Sequence, residues 1–167
     1  MDEVFERPNL TSNGTMGGDS FACTASTTGY GQIYYALDGS SSTQWQSAGN
    51  YSNTPQWLTF YNPEPLKVTK IVCTTPPNTS AEGWSYSWQL KNATLQGSND
   101  NSSWVDISSV SNVGKVPTAT IEADSNNSYY KYHRIYVSET NAYQPNVAYY
   151  AWACSDIAIT ATYEVNE

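Results

Sequence analysis

The apolar residues of this chain repeat at a spacing of two, the period of a strand, and nowhere convincingly at the three-to-four spacing of a helix. After Asp156, the residues Ile157, Ile159, Ala161 and Tyr163 alternate with Ala158, Thr160 and Thr162. His133, Ile135 and Val137 share one face of Lys131–Val137, and Leu58 and Phe60 share one face of Gln56–Tyr61. Leu66–Thr75 is rich in β-branched residues, and its apolar parity shifts between Val68 and Ile71, which predicts a bulge. Further strands are expected over Ser20–Ser26, Leu90–Ser98, Trp104–Val110 and residues 116–123, with a turn at Asn99-Asp100-Asn101. About eight strands without a convincing helix predict an all-β fold, a two-sheet antiparallel β-sandwich or jelly roll.

Composition agrees with this and narrows the function. Charged residues make up only 13% of the 167, against 14 Tyr and 6 Trp, so helix formers are scarce and strand and turn formers abundant. The length fits one domain and no internal repeat is found. Residues 1–19 read as a turn-rich lead-in and residues 20–167 as the domain. The net charge of −8, with seven Lys and Arg spread along the chain, argues against nucleic acid and against an acidic membrane surface. No stretch approaches the roughly 20 apolar residues that span a bilayer. The first residues, Met1 to Glu6, lack the basic and apolar regions of a signal peptide, so export would follow loss of a leader or use another route. Cys23, Cys73 and Cys154 are widely spaced with no C-x-x-C pair, which argues against zinc, and Cys73 reads as a small core residue. The N-x-S/T matches are read as a product of the Asn, Ser and Thr content rather than as glycosylation sites.

Five segments in order resemble discoidin domains, also called factor V/VIII type C domains. They are Ala36-Leu37-Asp38-Gly39 with Thr43 and Trp45; Pro55-Gln56-Trp57-Leu58-Thr59-Phe60; Leu95-Gln96-Gly97-Ser98-Asn99-Asp100 with Ser103-Trp104; Tyr130-Lys131-Tyr132-His133-Arg134-Ile135; and Ser155-Asp156-Ile157-Ala158-Ile159. The resemblance covers about residues 20 to 163 and implies the galactose-binding-like fold shared with many bacterial carbohydrate-binding modules. More loosely, the lead-in resembles segments that precede such domains in bacteriophage tail and fibre proteins.

The resemblance implies a structural Ca²⁺, with Asp38 and Thr43 as side-chain ligands, Asp156 where relatives often carry Glu, and Tyr35 and Ser40 giving carbonyls. Calcium takes six to eight hard oxygens and tolerates irregular loops. The alternative is that Asp38-Gly39 is only a turn whose carboxylate accepts backbone N–H bonds. The resemblance also implies a disulfide between the first and last strands, Cys23–Cys154, although spacing alone does not establish reach.

A sugar-binding face needs a stacking ring beside polar groups, because sugars present flat C–H patches and fixed hydroxyls. Tyr30, Tyr51, Trp84, Tyr86, Tyr143, Tyr149 and Tyr150 lie outside the expected core strands. Asn50, Asn53, Asn141 and Gln144 offer hydrogen bonds beside them. Trp45, Trp57, Trp88 and Trp104 are expected in the core. Galactose-binding relatives present His and Arg beside the stacking ring, but here His133 is expected in the core and Arg134 matches a structural arginine. No pair of acids or Cys–His arrangement has a recognisable catalytic context, so no enzyme is expected. The expectation is a non-catalytic module binding bacterial or mucosal glycans at an extracellular or virion surface. The alternative is an assembly or decoration domain whose Tyr-rich surface packs on a neighbouring protein.

Overall fold

The computed structural model describes residues 3–76, 86–144 and 147–165. Among the described residues there are eleven strands and one short 3₁₀ turn, Ile33–Leu37. The strands are β1 (Ala22–Ala25), β2 (Trp45–Gln46), β3 (Gln56–Thr74), β4 (Leu90–Ser98), β5 (Val105–Val110) and β6 (Thr118–Glu122). β7 (Tyr130–Thr140), β8 (Ala142–Gln144), β9 (Val147–Tyr150), β10 (Ala153–Cys154) and β11 (Asp156–Tyr163) complete the set.

The two segments expected as separate strands, Gln56–Tyr61 and Leu66–Thr75, are the two halves of β3, which is 19 residues long. Its first half pairs antiparallel with β1 and β7, and β4 and β5 extend that layer in the order β1-β3-β7-β4-β5. Its second half pairs with β11 on one edge and β6 on the other. Leu58, Phe60, Leu95 and Ile135 from the first layer share one buried cluster with Ile71, Ile121 and Ile157 from the second. The expected bulge is present. Thr160 sits opposite Lys70 and Ala161 opposite Val68, so Thr69 is the extra residue and its carbonyl accepts a bond from Ala123 N at 2.9 Å. The bulge returns both the Leu66 and Val68 pair and the Ile71 and Cys73 pair to the core side despite the change of parity.

The residues ahead of β1 are built into the sandwich. Val4 bridges Thr162, Phe5 N donates to Ala161 O at 3.0 Å, and the buried Phe5 ring packs on Phe21 and Tyr163. The three cysteines are buried free thiols, so the Cys23–Cys154 bridge is not formed. Cys23 lies opposite Phe60 in the first half of β3, whereas Cys154 hydrogen-bonds Cys73 in the second half. Burial pushes the Cys23 thiol up to about 12 and raises Cys154 as well, which keeps both protonated and unreactive.

Of the tryptophans expected inside, Trp45 is fully buried and meets Trp152 edge-on at 5.2 Å. Trp57 and Trp104 are instead half-buried on the outer face of the larger layer. There the Arg134 guanidinium lies 4.3 Å from the Trp104 ring, 5.1 Å from Tyr136 and 5.6 Å from Trp57. Arg134 Nε donates to Gln96 at 2.6 Å, so the arginine is structural as expected.

His133 is fully buried, stacked on Phe60 at 5.3 Å and walled by the edge of Tyr130. Gly97 makes room for that wall, since a Cβ there would fall 2.2 Å from the Tyr130 ring. Neither imidazole nitrogen meets a hydrogen-bond partner among the described residues. Desolvation lowers the imidazole from 6.5 to about 3. The unfolded chain therefore takes up this proton first as the pH falls. The contribution to stability is complete above pH 6.5 and is lost progressively toward about 3, at up to about 1.4 kcal/mol per pH unit. The melting temperature is expected to fall as acid is added through this range, with a shallower fall in His133→Phe. An identical acid slope in the variant would show that His133 is not its source.

Candidate functional site

Three chain segments form a ribbon that closes one end of the sandwich. Gly29 N donates to Gln46 O at 2.8 Å and Gln46 N to Tyr30 O at 3.0 Å, which joins the first segment to β2. β2 pairs with β10, and Ser47 N donates to Trp152 O at 2.8 Å. Further on, Asn50 and Tyr150 exchange both backbone bonds, at 2.9 and 2.8 Å. The Trp45–Trp152 pair lies beneath and seals the ribbon to the core.

Beyond Asn50 the ribbon carries two tyrosines. Tyr51 is 76% exposed and meets Tyr149 edge-on, with ring centroids 5.3 Å apart. Gly49 explains where Tyr149 lies. A Cβ at that position would fall 1.9 Å from the Tyr149 hydroxyl and 2.1 Å from the adjoining ring carbon, so the ring rests across bare backbone. Of the residues expected to touch a ligand, Tyr51, Tyr149 and Asn50 are thus brought together. Tyr30, 62% exposed, lies farther along the ribbon opposite Gln46, beside a pocket it shares with Gly31, Tyr35, Ser42, Thr43 and Gln44. Tyr86 is half-buried with a left-handed φ of 58°, and its carbonyl accepts from Gln89 N at the entry to β4. Trp84 lies outside the described residues, as does the side chain of Tyr143, whose backbone belongs to β8.

The asparagines expected as sugar partners are engaged with the scaffold. Asn50 Oδ1 accepts from Thr54 N at 2.9 Å and Ser52 N at 3.2 Å, which shapes the turn that presents Tyr51. Asn53, left-handed at φ 49°, accepts from Thr140 N at 3.0 Å and donates to Thr140 O at 3.3 Å. Asn141 Nδ2 donates to Gln89 O at 3.1 Å and Val113 O at 3.2 Å. These bonds tie the Tyr51 loop to the end of β7, and the end of β7 to the start of β4. Such bonds preorganise a site, because fixing the loop beforehand lowers the entropy lost on binding.

Of the residues assigned to calcium, Asp38, Ser40 and Thr43 come together in one turn, Asp156 faces a different cation, and Tyr35 lies beside Thr43 on another pocket. Asp38 accepts from Ser40 N at 2.9 Å and from the Thr43 hydroxyl at 2.6 Å. Asp156 Oδ1 faces Arg7 Nη2 at 3.4 Å, and Arg7 Nη1 donates to Leu37 O and to Pro8 O. Burial raises the Asp156 carboxyl; Arg7 opposes that shift and Asp38 adds to it. Calcium requires six to eight convergent oxygens, and here a guanidinium already occupies the Leu37 carbonyl and the Asp156 carboxylate. Among the described residues no three of His, Cys, Asp and Glu converge as a metal-binding group. The donor set as arranged does not fit Ca²⁺. Arg7 was not signalled by any motif. The one hint was an arginine, one of two in the chain, in a segment otherwise read as a lead-in.

The fold has close counterparts among solved structures. A module of Clostridium perfringens, CpGH89CBM32-5, in complex with GalNAc-β-1,3-galactose, aligns at a TM-score of 0.63 and 16% identity, over 84% of this chain and 94% of its own. The family 32 carbohydrate-binding module of C. perfringens NanJ, in complex with galactose, gives 0.62 and 16%, over 86% and 93%. A chitosan-binding module from a chitosanase/glucanase of Paenibacillus sp. IK-5 gives 0.61 and 20%, over 90% and 100%. At these identities the likeness is one of fold. A comparison with curated proteins finds no match. Residues 35–146 match the family model described as NedA-like, galactose-binding domain. That match spans two thirds of the chain, which therefore belongs to the F5/F8 type C family.

Proposed function

We propose that this chain is a glycan-binding module that stacks a sugar ring on Tyr149 and Tyr51, at the end of the sandwich closed by the Asn50–Tyr150 ribbon. The observation that carries the reading is the edge-on pair of exposed Tyr51 and half-buried Tyr149, the latter lying against Gly49, on a hydrogen-bonded loop. Tyrosine offers a flat apolar face and a polar tip, and few rotatable bonds are frozen when it binds. The relatives' bound sugars, GalNAc-β-1,3-galactose and galactose, support sugar as the ligand class. The net charge of −8 disfavours polyanionic glycans and leaves neutral or amino sugars.

His133 is buried and Arg134 belongs to the sheet face, so neither stands beside the tyrosine pair. The site therefore differs from one that reads galactose with His and Arg, and its selectivity rests on tyrosines and backbone. A single shallow site of this kind binds weakly. Display in several copies on an extracellular or virion surface raises avidity by roughly 10² to 10⁴ where geometry permits. Bacterial or mucosal glycans suit such display.

A glycan array probed with multivalent protein tests the reading. Tyr51→Ala and Tyr149→Ala are each expected to weaken binding about tenfold, equivalent to about 1.4 kcal/mol for a lost stacking ring. Gly49→Ala should weaken binding as much as Tyr149→Ala, because the added methyl displaces the ring without removing it. Trp84→Ala and Tyr86→Ala probe whether those two residues take part. If the multivalent wild type binds no glycan and self-associates or captures a protein partner instead, the assembly alternative replaces this reading.

A further inference from the structure

The segment ahead of β1 delivers one buried charge to a defined place. Val4 and Phe5 pair with the end of β11, and the Phe5 ring is 4% exposed. Pro8 follows, and then the Asn9 side chain covers Gly39; a Cβ at Gly39 would fall 2.6 Å from that amide. Leu10 N donates to Leu37 O at 2.9 Å. The chain is thus fixed on both sides of Arg7, whose side chain is only 11% exposed. Its guanidinium lies between the Asp38-Gly39 turn and the first residue of β11, facing Asp156 and donating to the Leu37 carbonyl.

We propose that Arg7 is the built-in cation of this junction, holding the Asp38 turn to the last strand where the family resemblance implies a bound Ca²⁺. Two observations and one consequence carry this. The guanidinium is forked toward a carboxylate and a carbonyl at once, which suits its planar donor array and not a lysine's point charge. Asp38 is satisfied from within its own turn by Ser40 and Thr43, and its negative charge favours the charged guanidinium. A divalent ion bridging Asp38 and Asp156 would compete with the Arg7 guanidinium for the Asp156 carboxylate. An ion from solvent leaves when its concentration falls, whereas a covalently attached cation does not. The scaffold then keeps its shape whatever the calcium level, and residues 3–10 are an integral part of it.

The inference is independent of the sugar-binding reading, since the two sites use different residues. The full chain, stripped with chelator, is melted with and without millimolar Ca²⁺, and calcium is titrated by calorimetry. The expected result is one melting temperature and no binding heat. Arg7→Met in chelator should melt lower by roughly 5–10 °C, because it leaves Asp156 partly buried and unpaired. Arg7→Met/Asp156→Asn should recover part of that loss. Stoichiometric calcium binding with a raised melting temperature in the wild type would overturn the proposal. So would Arg7→Met melting like the wild type, or a double variant that melts no higher than the single one.

Discussion

β3 hydrogen-bonds four other strands, two through each half, and both layers of the sandwich are referred to it. A strand can serve two sheets only if its pleat is interrupted where it leaves one for the other. The sequence Asn62-Pro63-Glu64-Pro65 interrupts it. Neither proline has an N–H to offer a ladder, and the β7 register jumps between Tyr61 and Leu66. Asn62 is 93% buried and closes the gap by donating to Glu64 O at 2.8 Å, while Tyr61 ties the bend to Gly18 at 2.9 Å. A second interruption, the Thr69 bulge, turns Ile71 and Cys73 inward beneath β11 and β6. The positions of β10, β2 and the ribbon follow, because β10 leads directly into the strand that pairs with this second half.

What the sequence made legible follows from which forces are local. Period-two patterning survives any tertiary arrangement, so Leu90–Ser98 is the strand observed, and five others fall within a few residues of their expected bounds. The same logic located the bulge, since an extra residue flips apolar parity and parity can be read from the chain alone. Trp57 and Trp104 were misplaced because size and hydrophobicity do not say which face of a strand a residue uses. Their neighbours do: Leu58 and Phe60 point inward at 0% exposure, so Trp57 must point outward, where it packs with Tyr136 and Arg134.

The site was legible in part for a related reason. Tyr51 and Tyr149 were recognisable as aromatic residues without a core strand to join. Their meeting depends on the Asn50–Tyr150 pairing, across about a hundred residues, which no local pattern encodes. The asparagines carry a second duty that no local pattern announces. A polar amide in a loop suggests a ligand contact, and a loop with no ladder of its own must also satisfy its backbone groups somewhere. Asn50, Asn53 and Asn141 do that work, which makes them determinants of the loops' positions. Arg7 is the extreme case, with its carboxylate partner 149 positions away.

The two ends of this chain's loops are stiffened by different means, and the difference bears on how a shallow site can be selective. At the Asp38 turn, a buried charge is clamped by partners on two other segments, an arrangement that resists change because loss of the carboxylate leaves the charge uncompensated. At the tyrosine end, the loops are fixed by neutral hydrogen bonds that individually contribute only about 0.5–1.5 kcal/mol. Within that end Tyr149 is held against Gly49, whereas Tyr51 projects with three-quarters of its surface in solvent. In the proposed site, Tyr149 would meet a sugar from a fixed position and Tyr51 from an exposed one. Such a pair would discriminate by the shape of a sugar's apolar face, the surface that a stacking ring touches. Selectivity of that kind tolerates related sugars, and it suits a module whose strength comes from many copies meeting a repetitive surface.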